Sequence, residues 1–148
     1  MSQQCPTCPA IRNIMNLKDY FENVQGHGIL ATADATGKVN MALFSRPHFM
    51  DDNTIAFIMP HRLTHANLQS NPQAAYLFME NGPGYKGKRI YVTKLREEQD
   101  TELLKSLRRR VHGSEKEQTA GPRFLVFFKV EKELPLVGPG EADNRNEL

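Results

Sequence analysis

With 148 residues, 39% of them hydrophobic and 24% charged, the chain is a single globular domain's worth of sequence, long enough to bury a core without disulfide or metal support. A formal net charge of +2, with basic residues interleaved among acidic ones except at Arg108-Arg109-Arg110, argues against a nucleic-acid partner. No apolar run approaches membrane-spanning length, the first residues lack a signal-peptide core, and the two cysteines, Cys5 and Cys8, lie too close together to staple a core, so the expectation is a cytoplasmic protein that does not enter the membrane.

Residues 1–14 have no clear period and read as a flexible N-terminal arm. Its Cys5-Pro6-Thr7-Cys8 has the spacing of a redox pair, but no strand precedes it and no second CxxC completes a zinc knuckle, so a tail is the plainer reading. Asn16 is positioned to cap a helix whose Leu17, Tyr20, Phe21 and Val24 fall at i, i+3, i+4 and i+7, with Gly26 and Gly28 as its stop. Residues 29–33 alternate as a strand. Asp34-Ala35-Thr36-Gly37 then reads as a hairpin loop with its glycine set for positive φ. Residues 38–46 return as the partner strand, with Val39, Met41 and Leu43 on one face and Asn40, Ala42 and Phe44 on the other; Asp51-Asp52-Asn53 is the next turn.

The stretch from residue 54 to 72 is the most informative. Thr54, Ile55, Phe57 and Ile58 predict a buried strand, which Pro60 ends because it has no N–H for the ladder. A short helix follows, with Thr64 as its N-cap and Asn71-Pro72 as its stop. The strand thus delivers the chain to a helix start bearing Arg62, Thr64, His61 and Asn67. Free N–H groups and the positive end of the helix dipole make that a seat for a phosphate. His61 and His65 stand at i, i+4, but Arg62 occupies the place where a metalloprotease motif wants Glu and no third ligand is evident, so no metal site is assigned.

Beyond it, residues 73–79 predict a strand, Asn81-Gly82-Pro83-Gly84 an irregular loop, and residues 88–95 a further strand. Residues 97–111 predict a helix with acidic residues first, arginines last and Leu103, Leu104, Leu107 and Val111 as its buried stripe. A flexible segment over 113–121 leads to a last strand at 123–130, apolar on both faces, and residues 138–148 read as a frayed tail. Six strands joined mostly by short turns favour an antiparallel sheet, and apolar residues on both faces favour closure into a small barrel.

The succession of helix, hairpin, Lys38-Val39-Asn40-Met41-Ala42, strand, His61-Arg62-Leu63-Thr64-His65-Ala66-Asn67-Leu68, Asn71-Pro72 and the Asn81-Gly82-Pro83-Gly84 loop resembles the FMN-binding split-barrel family, which includes pyridoxamine 5′-phosphate oxidase and small bacterial FMN-binding proteins. The resemblance spans roughly residues 15 to 135. It implies a mainly β fold, a six-stranded antiparallel split β-barrel with a few flanking helices over residues 15–137, and a homodimer with FMN at the interface. It places Thr64 as the hydroxyl, and Arg62 and Leu63 at the cation position, of the flavin phosphate site. Asn40, Met41, Ala42, Leu43 and Phe44 would run along the isoalloxazine, Phe57, Ile58, Met59 and Pro60 would form the strand edge beside the ring and ribityl chain, and the loop holding Gly84, Tyr85 and Lys86 would approach from one side.

Two departures qualify the resemblance. Leu63 stands where relatives put a cation, so Arg62 or Arg46 is expected to compensate. The last strand also lacks the Arg/His substrate-phosphate signature, so pyridoxamine phosphate oxidase activity is not expected. The reading is an FMN-binding oxidoreductase working by hydride or electron transfer on a small-molecule substrate or redox partner, with Lys86, Lys88 and Arg89 as candidates to meet an anionic substrate. The alternatives are a non-catalytic binding or sensing module, or the same fold holding a deazaflavin or haem.

Overall fold

The computed structural model describes residues 17–51, 53–112 and 121–138; the Cys5–Cys8 pair, the arm at 1–14, Asn16, the segment 113–120 and the tail beyond 138 lie outside the described residues. The first helix, α1 (17–23), follows the predicted stripe: Leu17 and Phe21 are buried, and Tyr20 and Val24 pack beside them. Strand β1 (Gly26–Ala33) starts earlier than the sequence indicates, so Gly26 and Gly28 belong to the sheet and do not stop the helix. They are glycines because the space is taken. A Cβ on Gly26 would lie 2.3 Å from the Met79 carbonyl oxygen, and one on Gly28 only 1.9 Å from the Tyr76 hydroxyl.

Asp34 builds the hairpin into β2 (Val39–Leu43): its Oδ1 accepts from the N–H and hydroxyl of Thr36 and from the N–H of Lys38, while Gly37 takes φ +91°. Pro47 then breaks the chain, and a strand not foreseen, β3 (His48–Asp51), pairs with β4 (Thr54–Pro60). Four residues that begin with His and end with Asp give too short an alternation to read, so the expected six strands become seven among the described residues.

After α2 (Leu63–Ser70) come β5 (Gln73–Glu80) and the long strands β6 (Gly87–Gln99) and β7 (Arg123–Pro135), with α3 (Glu102–His112) between the latter two. The strands form one antiparallel sheet in the order β2-β1-β5-β6-β7-β4-β3. Register shifts at Tyr91/Val92 and Lys94/Arg96 interrupt the β6–β7 ladder, the kind of irregularity that bends a sheet.

Residues 97–99, expected to open a helix, pair instead with β7. The helix start lies later because Thr101 is the better cap: its hydroxyl accepts from the N–H of Leu104 after a left-handed residue at Asp100 (φ 49°). Leu104 and Leu107 are buried as predicted, whereas Leu103 is exposed; Val111 lies outside the residues whose side chains are described.

Both faces of the β4–β7 pair are covered. Ile55, Phe57, Met59, Val126, Phe128 and Val130 join the main core with Leu17, Phe21, Leu30, Tyr76 and Phe78. Ala56, Leu125 and Phe127 form a second core with Leu104 and Leu107 of α3. The outer apolar face of the last strand is therefore explained by a helix lying on it. Among the described residues, no helix is long and apolar enough to cross a membrane.

Candidate functional site

Helix α2 packs over β1 and β2 with an unusual face: of its buried residues, Thr64, His65 and Asn67 are polar and only Leu68 is apolar. Each polar group has a partner on the sheet or beside it. Asn67 Nδ2 donates to Thr32 Oγ1 at 3.1 Å, and Asn40 Nδ2 donates to Thr64 Oγ1 at 3.3 Å. Thr64 is not the N-cap. That position is Arg62, in extended backbone and without a capping side chain. The first helical bond runs from the Ala66 N–H to the Arg62 carbonyl, so the N–H groups of Leu63, Thr64 and His65 precede it. Arg62 is exposed and makes no ion pair among the described residues. A hydroxyl, a guanidinium and three helix-start N–H groups are thus gathered at one place.

His65 lies behind them, 4% exposed and stacked on Phe124 with centroids 3.9 Å apart. Its Nε2 is 3.0 and 3.2 Å from the two oxygens of Glu97, and its Nδ1 is 2.7 Å from Nδ1 of His61. Lys94 Nζ and Gln69 Nε2 also donate to Glu97. Burial alone would raise the Glu97 pKa, but the hydrogen bonds from Lys94, Gln69 and His65 outweigh it and hold the carboxyl at about 2. The spacing of His61 and His65 is visible in the sequence; Glu97, misplaced there on a helix, is what completes the network. Thr32, Gln69 and Lys94 leave no comparable sequence signal, because only the register of the sheet brings them to α2.

On the other side of Asn40, β2 is an edge strand. The Phe44 N–H bonds the Gly28 carbonyl and the Asp34 N–H bonds the Lys38 carbonyl. That phase turns the backbone groups of residues 38, 40, 42 and 44 toward β1 and those of Val39, Met41 and Leu43 toward the open edge. The side chains of these last three are between 71% and 76% exposed. Asn40 and Ala42 lie on the opposite face, that of Thr64, while Phe44 turns inward to within 5.7 Å of the Phe57 ring.

The other predicted contacts are dispersed. Met59 is fully buried, and Ile58 packs against the second core. Pro60 ends β4, His61 is exposed with its ring on His65, and Leu63 is exposed. Gly84, Tyr85 and Lys86 are exposed in the loop beyond β5. Thr32 pairs with Ala74 at one end of β1 and Gly26 with Glu80 at the other, so six residues, roughly 20 Å, separate that loop from α2 within one chain. Arg46 donates through Nη1 to the carbonyls of Phe21 and Val24. Lys88 pairs with Glu133, and Arg89 binds the carbonyls of Pro135 and Gly138, which leaves Lys86 as the exposed cation of that loop.

An FMN-binding protein of Syntrophomonas wolfei subsp. wolfei superposes on this chain with a TM-score of 0.70, at 22% identity, over 86% of this chain and 89% of that one. The chain has the FMN-binding split-barrel fold. HupZ of Group A Streptococcus matches with a TM-score of 0.65 at 20% identity over 86% and 96% of the two chains. An FAD-binding protein of Mesorhizobium loti matches with a TM-score of 0.56 at 18% identity over 84% and 89%. Neither a protein-family model nor a curated protein matches the chain.

Proposed function

We propose that the chain is an FMN-binding flavoprotein and works as an oxidoreductase on a small substrate or redox partner. The observation that carries this reading is the junction of the α2 start, with Arg62 and Thr64, and the open apolar edge of β2. The donor set suits a phosphate: a hydroxyl oriented by Asn40, a free guanidinium and three backbone N–H groups match the charge-assisted bonds a dianion needs out of water. The outward N–H and C=O groups of Met41 and Leu43 suit the alternating acceptors and donors of a flavin's pyrimidine edge, and the exposed side chains of Val39, Met41 and Leu43 suit an apolar covering.

Among the described residues one chain leaves that edge open, and its Gly84-Tyr85-Lys86 loop is far from it. A homodimer supports both needs: a second copy would cover the exposed apolar residues and bring its own loop to the ring. In such an assembly Thr64, Arg62 and the α2 N–H groups hold the phosphate, Asn40 keeps the Thr64 hydroxyl in place, and β2 excludes water from one side of the ring. Bound flavin would supply the hydride or electron chemistry. The FMN-binding and FAD-binding structures that share the fold support the cofactor class.

The test is equilibrium binding of FMN to the Arg62→Ala/Thr64→Ala double variant. Loss of two polar partners, one charged, is expected to weaken affinity by at least roughly tenfold; unchanged affinity would remove the phosphate from α2. Turnover with a reduced nicotinamide donor would favour the enzyme, whereas tight binding without turnover would favour a binding module.

A further inference from the structure

The contact between His61 and His65 has consequences that the phosphate seat alone does not use. A carboxylate only accepts, and both Glu97 oxygens face Nε2 of His65 at 3.0 and 3.2 Å, so that nitrogen carries a hydrogen. In neutral His65 the Nδ1 is then a bare lone pair. The Nδ1 of His61, 2.7 Å away, must donate to it. One proton fits between the two rings and two do not, because a second would set two N–H groups head to head. The pair therefore carries no charge or one positive charge, never two, in this arrangement.

When the pair is charged, the proton between the rings can sit on either Nδ1. Glu97 faces the charge from the buried side, and exposed His61 stands one residue before the Arg62 cap of α2. Among the described residues the groups around the pair are few. Lys94 and Glu97 come from β6, with Lys94 already paired to Glu97. Gln69 comes from α2, its amide nitrogen 3.1 Å from His65 Nε2 but with its two hydrogens directed to the His65 carbonyl and Glu97 Oε1. From β7 come the neutral ring of Phe124 and, at the strand's first residue, Arg123, which pairs in register with Pro60. Arg62 follows His61 directly.

A phosphate monoester carries roughly −1.5 to −2 near neutrality. Arg62 supplies one positive charge, which leaves up to one more to be met. We propose that His61 and His65 form a proton-coupled cation for that phosphate: on ligand binding the pair takes up one proton, shares it across the Nδ1···Nδ1 contact, and presents the charge through His61 while Glu97 compensates it from behind. The inference rests on the reading above that the ligand's phosphate sits at the start of α2.

A site built only of permanent cations binds the phosphate better as it loses its second proton near pH 6, then levels off. A site that needs a protonated imidazole instead loses affinity as pH rises past the ordinary histidine range. The experiment measures FMN and riboflavin affinity from pH 5.5 to 8.5 for the natural chain and for His61→Gln, with FMN calorimetry at pH 7.5 in two buffers of different ionisation enthalpy. His61 is exposed, so its replacement leaves the core alone.

The expected result is an FMN affinity that falls roughly tenfold between pH 6.5 and 8, uptake of about one proton per FMN, a flat riboflavin profile, and loss of both the falling limb and the proton uptake in His61→Gln. FMN binding that rises and levels off identically in both proteins, without proton uptake, would overturn the inference and leave the flavin reading standing. No binding of FMN at any pH would overturn both.

Discussion

β4 and β2 are both short strands rich in apolar residues, and they have opposite fates. In β4, Ile55, Phe57 and Met59 meet one core and Ala56 a second, so every apolar side chain has an internal partner. In β2, Val39, Met41 and Leu43 have none among the described residues, and their backbone groups face the edge of the sheet. An apolar stripe of that kind on an unpaired edge is what soluble folds avoid unless something covers it. Burial in β4 therefore serves folding, whereas Val39, Met41 and Leu43 of β2 join neither core.

The two strands differ most in what truncation of a side chain costs. Phe57→Ala is expected to cost about 3–5 kcal/mol in urea unfolding, because it empties a site packed by Phe44, Tyr76 and Phe128. Truncating Met41 or Leu43 to Ala should cost less than about 0.5 kcal/mol in the isolated chain. A comparable loss at both strands would mean that β2 is as much a part of the monomer's core as β4.

In a Met41→Asp/Leu43→Asp variant the monomer should keep its fold while self-association weakens at least a hundredfold by sedimentation velocity, since each buried apolar side chain contributes about 1.5–3 kcal/mol. Unaltered association would place the partner copy elsewhere. Gly28→Ala is next, with an expected cost of about 1–3 kcal/mol as its methyl meets the Tyr76 hydroxyl.

The smallest effect concerns acid. Glu97 is held at about 2, below its ordinary 4.5, so its partners stabilise the fold above about pH 4.5 and that contribution is lost as pH falls toward 2. Glu97→Gln should flatten the stability profile over that window by less than about 1 kcal/mol, the carboxylate being partly hydrated.

Much of the sheet was legible because its signals are local. Asp34 to Gly37 is a turn by chemistry alone, and the alternation of residues 123–130 marks a strand wherever it packs. What sequence missed depends on distant partners. Gly26 and Gly28 look like helix stops until Met79 and Tyr76 are seen against them. Glu97 looks like a helix start until β7 claims its backbone. The site divides in the same way: Arg62 and Thr64 could be read from the strand-to-helix step, but Thr32 and Glu97 reach α2 only through register. The resemblance places Met59 beside the ring, and in the structure its side chain lies in the core.

The central claim is that the β2 edge and the α2 start together hold a phosphorylated flavin. It is tested most directly by the absorbance spectrum of the purified protein, with mass identification of whatever a denaturant releases. A flavin spectrum and release of FMN are expected; a deazaflavin or haem spectrum would keep the fold and change the cofactor. A colourless protein that takes up no added FMN would contradict it.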